Sequence, residues 1–387
     1  MKTTTGDQAL IKRMNTAIVL EAILREAPLS RANISELTGL NKATVSSLVQ
    51  DLIDNQLVRE TGIGASSGGR KPVMLEFVAT AGYAVGIDLG VNYLRGVLTD
   101  LLGTVVAERT LPLIGVQPEE VFGILRPFIQ GLIDAAPGSA FGIVGIGVGV
   151  PGLVDRQGTV LYAPNMDWRD VPLRDALNRT FGIPVMIDNE ANVGAIGEMK
   201  YGIGRGVSNL VYVSVGIGIG TGLILHKELY KGASGFSGEM GHLSIEANGK
   251  PCRCGNQGCW ELYASEQALL ERAAEAGYTG GLDELLAAAE AGDEAVRGMF
   301  AEIGRALGVG ISNIVNVFNP NAVLIGNRMS RARVWLEDAV RETVERRALN
   351  FHLRNVHLLY AELGERSAVM GAAETAIAAF FVRLRSA

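Results

Sequence analysis

Apolar positions near the start of the chain recur with the period of a helix. Between Ile11 and Glu26 they lie three or four residues apart, which predicts an amphipathic helix ending before Pro28. Ser30 and Asn41 stand where two shorter helices would begin, since their side chains can accept hydrogen bonds from the first free backbone N–H groups. With a glycine turn between them, these helices form a helix-turn-helix pattern.

The pattern changes to short strands after the third helix. Apolar runs over 57–60 and 73–77 are joined by a loop, residues 61–72, that is rich in Gly and Ser. Two strands after a helix-turn-helix form a wing. We therefore predict a winged helix-turn-helix DNA-binding domain over residues 1–80.

The third predicted helix carries small and hydrogen-bonding side chains on its exposed face. Such a helix can enter the major groove, where residues near its N-terminus meet the base edges. Two cations at the end of the wing loop are suited to phosphates or a minor groove. A three-helix protein-interaction module is the alternative interpretation. The candidate DNA-contacting residues are Asn41, Lys42, Thr44, Ser46, Ser47, Arg70 and Lys71.

The rest of the chain alternates helices with apolar strands that enter Gly-rich turns. Residues 84–90 form an apolar strand followed by a Gly-rich turn, and residues 210–222 have the same pattern. This repetition indicates two related α/β lobes with a cleft between them. Four glycines interrupt the longest uncharged apolar stretch, 210–225, so it predicts two strands and a turn and not a membrane span. We place a first lobe at 81–190 and a second at 191–387; this division leaves open a return of the C-terminal helix to the first lobe.

Composition adds little about partners but restricts the class of protein. The chain has 387 residues, 48% of them hydrophobic, which is enough for two or three domains with real cores. The net charge of −6 is divided as +1 over residues 1–80 and −7 over the remainder, a difference too small to indicate nucleic acid by itself. The first residues lack the apolar run of a signal peptide. We expect a soluble cytoplasmic protein with no membrane partner.

The three cysteines of the chain all fall within eight residues, at Cys252, Cys254 and Cys259, and His242 lies ten residues before the first. Three thiolates and one imidazole complete a tetrahedral zinc shell and leave no open position for catalysis. An odd number of closely spaced cysteines is poorly suited to disulfides. We therefore predict a structural Zn²⁺ site formed by these four residues.

Motifs along the body of the chain occur in the order found in the ROK family of sugar kinases and sugar-responsive repressors, which this sequence resembles over essentially its whole length. The fused winged helix resembles the repressor branch, and the sequence of residues 188–192 is most similar to that of xylose repressors. The resemblance implies a two-lobed α/β fold of the actin-like, ribonuclease-H-like ATPase type with a structural zinc site. The motifs are the turn at Asp88 and residues 147–152, 164–168, 188–192, 216–222 and 242–259.

The resemblance also implies a set of sugar-binding residues. Carboxylate and amide groups suit the vicinal hydroxyls of a sugar, and a histidine that is also a zinc ligand would link the geometry of the metal site to the sugar site. The positions that match the family's sugar contacts are Asn165, Asn189, Glu190, Glu239, His242 and Glu261.

Two positions depart from the pattern of the kinases. Where the kinases carry an aspartate as general base, this chain has Glu190, whose side chain is one methylene longer; a displacement of about 1 Å can lower a rate on the order of 100-fold. Where a Gly-Gly nucleotide turn is expected, the chain has Asn327 and Arg328, whose side chains would hinder the close approach that glycine allows. We predict no catalytic residues and no kinase activity.

Three functions remain in competition. The leading hypothesis is a transcriptional repressor of xylose-utilisation genes that a free sugar, xylose or glucose, releases from its operator DNA. The second is a glucokinase-like, ATP-dependent sugar kinase that carries a DNA-binding domain, and the third is a binding protein that responds to a partner protein. Repressors with a helix-turn-helix bind paired half-sites, so we expect a homodimer or a higher homo-oligomer.

Overall fold

The N-terminal part of the protein consists of three helices and a small antiparallel sheet. The computed structural model describes residues 8–63, 72–113 and 117–386. The N-terminal elements are α1 (Gln8–Glu26), β1 (Leu29–Ser30), α2 (Arg31–Thr38), α3 (Lys42–Asp54), β2 (Val58–Ile63) and β3 (Val73–Phe77). Strand β3 lies between β1 and β2.

Local signals placed these elements correctly. Ser30 and Asn41 cap α2 and α3, and each side chain accepts a hydrogen bond from the backbone N–H three residues on. Strand β2 differs from the prediction, since it starts one residue later and continues to Ile63. The reason is its antiparallel pairing with β3, which extends to Ile63 opposite Val73 through a register shift near Gly62.

The first lobe is built on a five-stranded sheet with strand order β11-β7-β4-β5-β6. Its first strand, β4, is buried along its whole length and runs parallel to β7, as expected for a central strand of a covered sheet. The elements of this lobe are β4 (Tyr83–Leu89), β5 (Tyr93–Asp100), β6 (Val105–Pro112), α4 (Pro118–Ile133), β7 (Ile143–Val150), β8 (Leu153–Val154), β9 (Val160–Ala163), β10 (Trp168–Val171), α5 (Leu173–Phe181), β11 (Val185–Asn189) and α6 (Glu190–Tyr201).

The second lobe repeats this topology with strand order β14-β13-β12-β15-β16. In both sheets the first three strands are antiparallel neighbours, and two later strands are added in parallel on the other side of the first. The elements are β12 (Leu210–Val215), β13 (Ile219–Leu225), β14 (Glu228–Leu229), α7 (Glu261–Ala264), α8 (Glu266–Glu275), α9 (Leu282–Glu290), α10 (Glu294–Phe318), β15 (Ala322–Gly326), α11 (Arg333–Arg347), α12 (Asn350–Leu353), β16 (His357–Tyr360) and α13 (Ser367–Ser386).

Helices α6 and α13 lie between the two sheets. Helix α6 packs against β12 and β13 of the second sheet, whereas α13 packs against β4 and β7 of the first, and the two helices contact each other. The helical segment Gly364–Arg385 is long and apolar enough to cross a membrane, with a mean hydropathy of 1.4, but 56% of that window is buried inside the protein. Its apolar character is that of a core helix.

Candidate functional site

A cavity of about 300 Å³ lies between the two lobes, at the ends of the central strands of both sheets. Its wall is formed by strand-to-turn segments of the first lobe and by the Gly-rich turn between β12 and β13 of the second. The six residues that the family resemblance implies for sugar binding all line this one cavity: Asn165, Asn189, Glu190, Glu239, His242 and Glu261.

Asn189 and Glu190 stand where β11 ends and α6 begins. Asn189 caps α6, since its Oδ1 accepts from the N–H of Ala191 at 2.8 Å, and its Nδ2 donates to the carbonyl of Gly152 at 3.0 Å. One N–H of the amide is left for a ligand. The sequence motif therefore encodes both a helix start and part of the cavity wall.

Glu190 is held by two polar side chains from the second lobe. Its Oε1 accepts from Ser214 Oγ at 2.9 Å and from Asn327 Nδ2 at 3.3 Å, and Asn327 Nδ2 also lies 3.0 Å from Ser214 Oγ. Burial, together with the nearby carboxylate of Asp88, raises the pKa of Glu190 to about 8. Burial thus favours the protonated form of this side chain.

Asn327 occupies the turn where the kinase pattern predicts glycine. Its φ is +64° and its ψ is −164°, a backbone conformation that is almost restricted to glycine. The side chain of Asn327 lines the cavity, and its amide bonds Glu190 and Ser214. Arg328, the next residue, also lines the cavity and pairs with buried Glu266 at 3.2 Å.

Tyr93 and Ser214 are two cavity residues that sequence analysis did not identify. Tyr93 donates from its hydroxyl to Oδ2 of Asp88 at 2.9 Å, and Asp88 is only 1% exposed. Burial raises the pKa of Asp88 to about 7, although the Tyr93 hydrogen bond and Arg95 act to lower it. Ser214 could have been found, because it is a polar residue inside the otherwise apolar strand β12.

The Gly-rich turn between β12 and β13 brings backbone close to the polar groups of the cavity. A Cβ atom at Gly218 would lie 2.7 Å from Glu261 Oε2 and 3.2 Å from Asn165 Nδ2. A side chain at this position would therefore displace Glu261 and Asn165, two of the candidate sugar-binding residues. Glycine here keeps the cavity open.

His242 and the three cysteines come together beside the cavity, with one ligand atom from each residue within 4.8 Å of the others. The Sγ atoms of Cys254 and Cys259 are 3.7 Å apart, and Cys252 Sγ lies 3.8 Å from His242 Nδ1. These separations match the roughly 3.8 Å edge of a tetrahedron with metal–sulfur bonds of about 2.3 Å. The cluster can hold a metal ion.

The metal cluster and the cavity share a wall. Glu261 Oε1 lies 3.3 Å from His242 Nδ1, and both residues line the cavity together with Cys254. Nδ1 of His242 faces the cluster, so Nε2 is the ring nitrogen left for a cavity ligand. A metal ion at the cluster would fix the orientation of this imidazole.

The predicted DNA-contacting helix, α3, has one buried and one exposed face. Val45, Leu48, Val49 and Leu52 are buried, whereas Thr44 is partly buried and Asn41, Lys42, Ser46 and Ser47 are exposed. The exposed group lies in the first two turns of the helix, as a major-groove helix requires. Arg70 and Lys71 lie outside the described residues.

Comparisons with known proteins cover nearly the whole chain. Residues 84–379 match the ROK family and residues 15–62 match the IclR helix-turn-helix domain. The chain is 42% identical over 366 residues to the xylose repressor of Bacillus subtilis (strain 168), and the match covers 95% of each protein.

Two solved structures show the same relationship in three dimensions. A ROK family transcriptional regulator, a homologue of the E. coli MLC protein, superposes with a TM-score of 0.82 at 28% identity and covers 97% of this chain and 98% of its own. A ROK family glucokinase from Streptomyces griseus, in complex with glucose and AMPPNP, gives a TM-score of 0.68 at 30% identity and covers 76% of this chain and 98% of its own.

Proposed function

The chain belongs to the ROK family, and from that premise we propose that it is a transcriptional repressor that binds operator DNA and responds to a free sugar. The family match is accompanied by a helix-turn-helix match over residues 15–62, and the xylose repressor reported above matches over 95% of both chains. The glucokinase likeness covers only 76% of the chain. The resemblance drawn from the sequence motifs is thus confirmed.

The observation that carries the sugar-binding part is the convergence of six polar residues in one cavity. They come from separate segments between residues 165 and 261, yet all of them line the same space of about 300 Å³. Carboxylates, amides and an imidazole supply both donors and acceptors for a ring of hydroxyl groups. The proposed ligands are Asn165, Asn189, Glu190, Glu239, His242 and Glu261.

We propose xylose as the effector, with glucose as the alternative. The support is the 42% identity to a xylose repressor. The two sugars differ by one hydroxymethyl group, so they share most of the hydroxyl pattern that the cavity would bind.

We propose that the cluster of His242, Cys252, Cys254 and Cys259 holds one structural Zn²⁺ ion. When bound, the ion would cross-link the loop between His242 and Cys259 and would supply no catalytic position. The protein's own contribution is to place Glu239, His242 and Glu261 at the same wall of the cavity. The fold would then be of the actin-like, ribonuclease-H-like type with a zinc site.

Release from DNA follows from linkage between the two sites. Two copies of α3 must meet paired half-sites together, so the protein would act as a homodimer or higher homo-oligomer in the cytoplasm. Sugar weakens operator binding only as far as it prefers the DNA-free conformation, and a coupling free energy of about 1–3 kcal/mol gives roughly 5- to 150-fold release.

The experiment is a pair of binding titrations. Purified protein is first screened against a panel of monosaccharides by thermal shift, because a ligand at 100 times its Kd stabilises the folded state by about 2.7 kcal/mol. Operator affinity is then measured by fluorescence anisotropy with and without the sugar that binds. The proposal fails if no sugar in the panel changes operator affinity; a partner protein would then be the better candidate for the signal.

A further inference from the structure

Two helices connect the cavity wall to the DNA-binding part of the protein. Helix α6 begins at Glu190, which lines the cavity, and packs against β12 and β13 of the second lobe. Helix α13 packs against α6 on one side and against the first sheet on the other. Helix α6 therefore contacts the second sheet, α13 and the strands β7 and β11 of the first sheet.

The contact between α6 and α13 is backbone against backbone. A Cβ atom at Gly371 of α13 would lie 1.7 Å from the carbonyl oxygen of Val193, and one at Gly197 of α6 would lie 2.2 Å from the carbonyl oxygen of Ser367. At these two glycines no side chain lies between the helices to absorb a displacement. A displacement of α6 along its axis would therefore press on α13.

A fully buried carboxylate fastens the two helices at one end. Glu198, near the end of α6, is 0% exposed and accepts hydrogen bonds from Ser367 Oγ at 2.7 Å and from the N–H of Leu363 at 2.9 Å. It also accepts from the N–H of Ile203 at 3.2 Å. Both oxygens of Glu198 thus accept hydrogen bonds, from the turn that follows α6 and from the segment that leads into α13.

The other end of α13 is embedded in the DNA-binding domain. Ile377 and Phe380 belong to one apolar cluster with Val19 and Ile23 of α1. The ring of Phe381 lies 6.0 Å from the ring of Phe77 in β3, in a tilted arrangement. The winged helix therefore rests on α13 through packed side chains.

We propose that α13 transmits the state of the sugar cavity to the winged helix, with the contact between Phe381 and Phe77 as the output of this path. The inference rests on the proposed repressor function and specifies its regulation. A contiguous path of packed elements is one physical means by which two distant sites can be coupled. The sugar acts on it by stabilising one arrangement of the cleft over another.

The test compares Phe381→Ala with Val382→Ala in the full-length protein. Phe381 is partly buried against the winged helix, whereas the adjacent Val382 is 57% exposed and so provides a matched apolar truncation. For each protein, xylose affinity is measured by calorimetry and operator affinity by fluorescence anisotropy, with and without saturating xylose.

We expect Phe381→Ala to bind xylose like the wild type, because Phe381 does not line the cavity. Its sugar-dependent loss of operator affinity should fall from the wild-type factor, about 5- to 150-fold, to nearly none, while Val382→Ala keeps the wild-type factor. Unchanged coupling in Phe381→Ala would overturn the inference.

Two arms keep the outcomes separate. If no sugar of the panel changes operator affinity in the wild type, the proposed function fails and not merely its route. Should Phe381→Ala fold poorly, hydrogen exchange of the wild type decides: xylose is expected to change amide protection in the second half of α13 and in α1. Changes confined to the cavity loops would contradict the role of α13.

Discussion

The Nδ2 atom of Asn327 lies 3.3 Å from Oε1 of Glu190, so the turn after β15 contacts the start of α6 across the cleft. Both also contact Ser214, which is 2% exposed. Asn327, Glu190 and Ser214 thus form one polar network between the lobes.

We predict that the protein does not phosphorylate sugars. The resemblance implies an aspartate as general base where this chain has Glu190, one methylene longer, and Asn327 occupies the turn where glycine would admit a nucleotide. A coupled assay with ATP and xylose or glucose should show no turnover above background. Turnover in the usual enzyme range of about 1–1,000 per second would instead support the kinase hypothesis.

The raised pKa of Glu190 predicts a pH dependence of stability. The pKa rises from 4.5 in the unfolded chain to about 8 in the folded protein. The contribution of Glu190 to the free energy of unfolding is therefore fully present below pH 4.5 and is lost as the pH rises through about 8. The free energy of unfolding falls by at most about 1.4 kcal/mol per pH unit in this range. Glu190→Gln, which retains an acceptor for Ser214, should flatten this decline.

Urea unfolding at several pH values between 5 and 9 measures the effect. The matched control is Glu275→Gln, since Glu275 is exposed at the end of α8 and does not line the cavity. The argument is wrong if Glu190→Gln and the control show the same dependence on pH.

We predict one zinc ion per chain. Cys254→Ser should lower the metal content and the melting temperature, because a structural site that loses a thiolate no longer cross-links the loop between His242 and Cys259. Arg253→Ala is the matched control, since it changes the neighbouring exposed residue and leaves all four ligands in place. Fully folded, sugar-responsive wild-type protein with much less than one zinc per chain would disprove the assignment.

Glu239 provides a test of the sugar site that leaves the DNA-binding domain unchanged. Glu239→Ala should bind sugar-free operator like the wild type but should no longer be released by sugar, because a cavity carboxylate that would accept hydroxyl hydrogens is gone. Glu275→Ala removes an exposed carboxylate elsewhere on the second lobe and should respond normally. Anisotropy titrations with and without sugar measure both; normal release of Glu239→Ala would remove it from the site.

The first turns of α3 should contact DNA. Lys42→Ala is expected to weaken operator binding and to reduce the slope of log K against log salt by about 1, as for one lost phosphate contact. Lys227→Ala, an exposed lysine of the second lobe, is the control. Thr44→Ala and Ser47→Ala should affect base preference or overall affinity, and Arg70→Ala tests the wing in the same assay. Identical salt slopes for Lys42→Ala and Lys227→Ala would exclude α3 as the phosphate contact.

Features encoded by neighbouring residues could be predicted from the sequence. Ser30 and Asn41 cap their helices as expected, because a cap depends on a backbone N–H only three residues away. The four metal-ligand candidates lie within 18 positions of one another, so the chain brings them together with little loop entropy. The motif order alone was enough to identify the family.

Tertiary structure decided which distant side chains meet. Asn327 and Glu190 are 137 positions apart, and no local pattern indicates that one would bond the other. The strand and turn that carry Asn327 could be recognised, but the direction of its amide depends on how β15 and α6 pack across the cleft. The same holds for Tyr93, whose hydrogen bond to Asp88 exists because β4 and β5 turn back on each other at Gly90.

The contacts of α13 with α6 and with the winged helix were the least predictable feature from the sequence. The apolar composition of α13 predicts a buried helix, yet composition does not specify against which surfaces the helix packs. The contact of Gly371 with Val193 and that of Phe381 with Phe77 follow from the shape of the folded lobes. The sequence by itself determined the modules and their local chemistry, because hydrogen bonds and turns act over a few residues; packing, which acts between distant segments, decided how the modules touch.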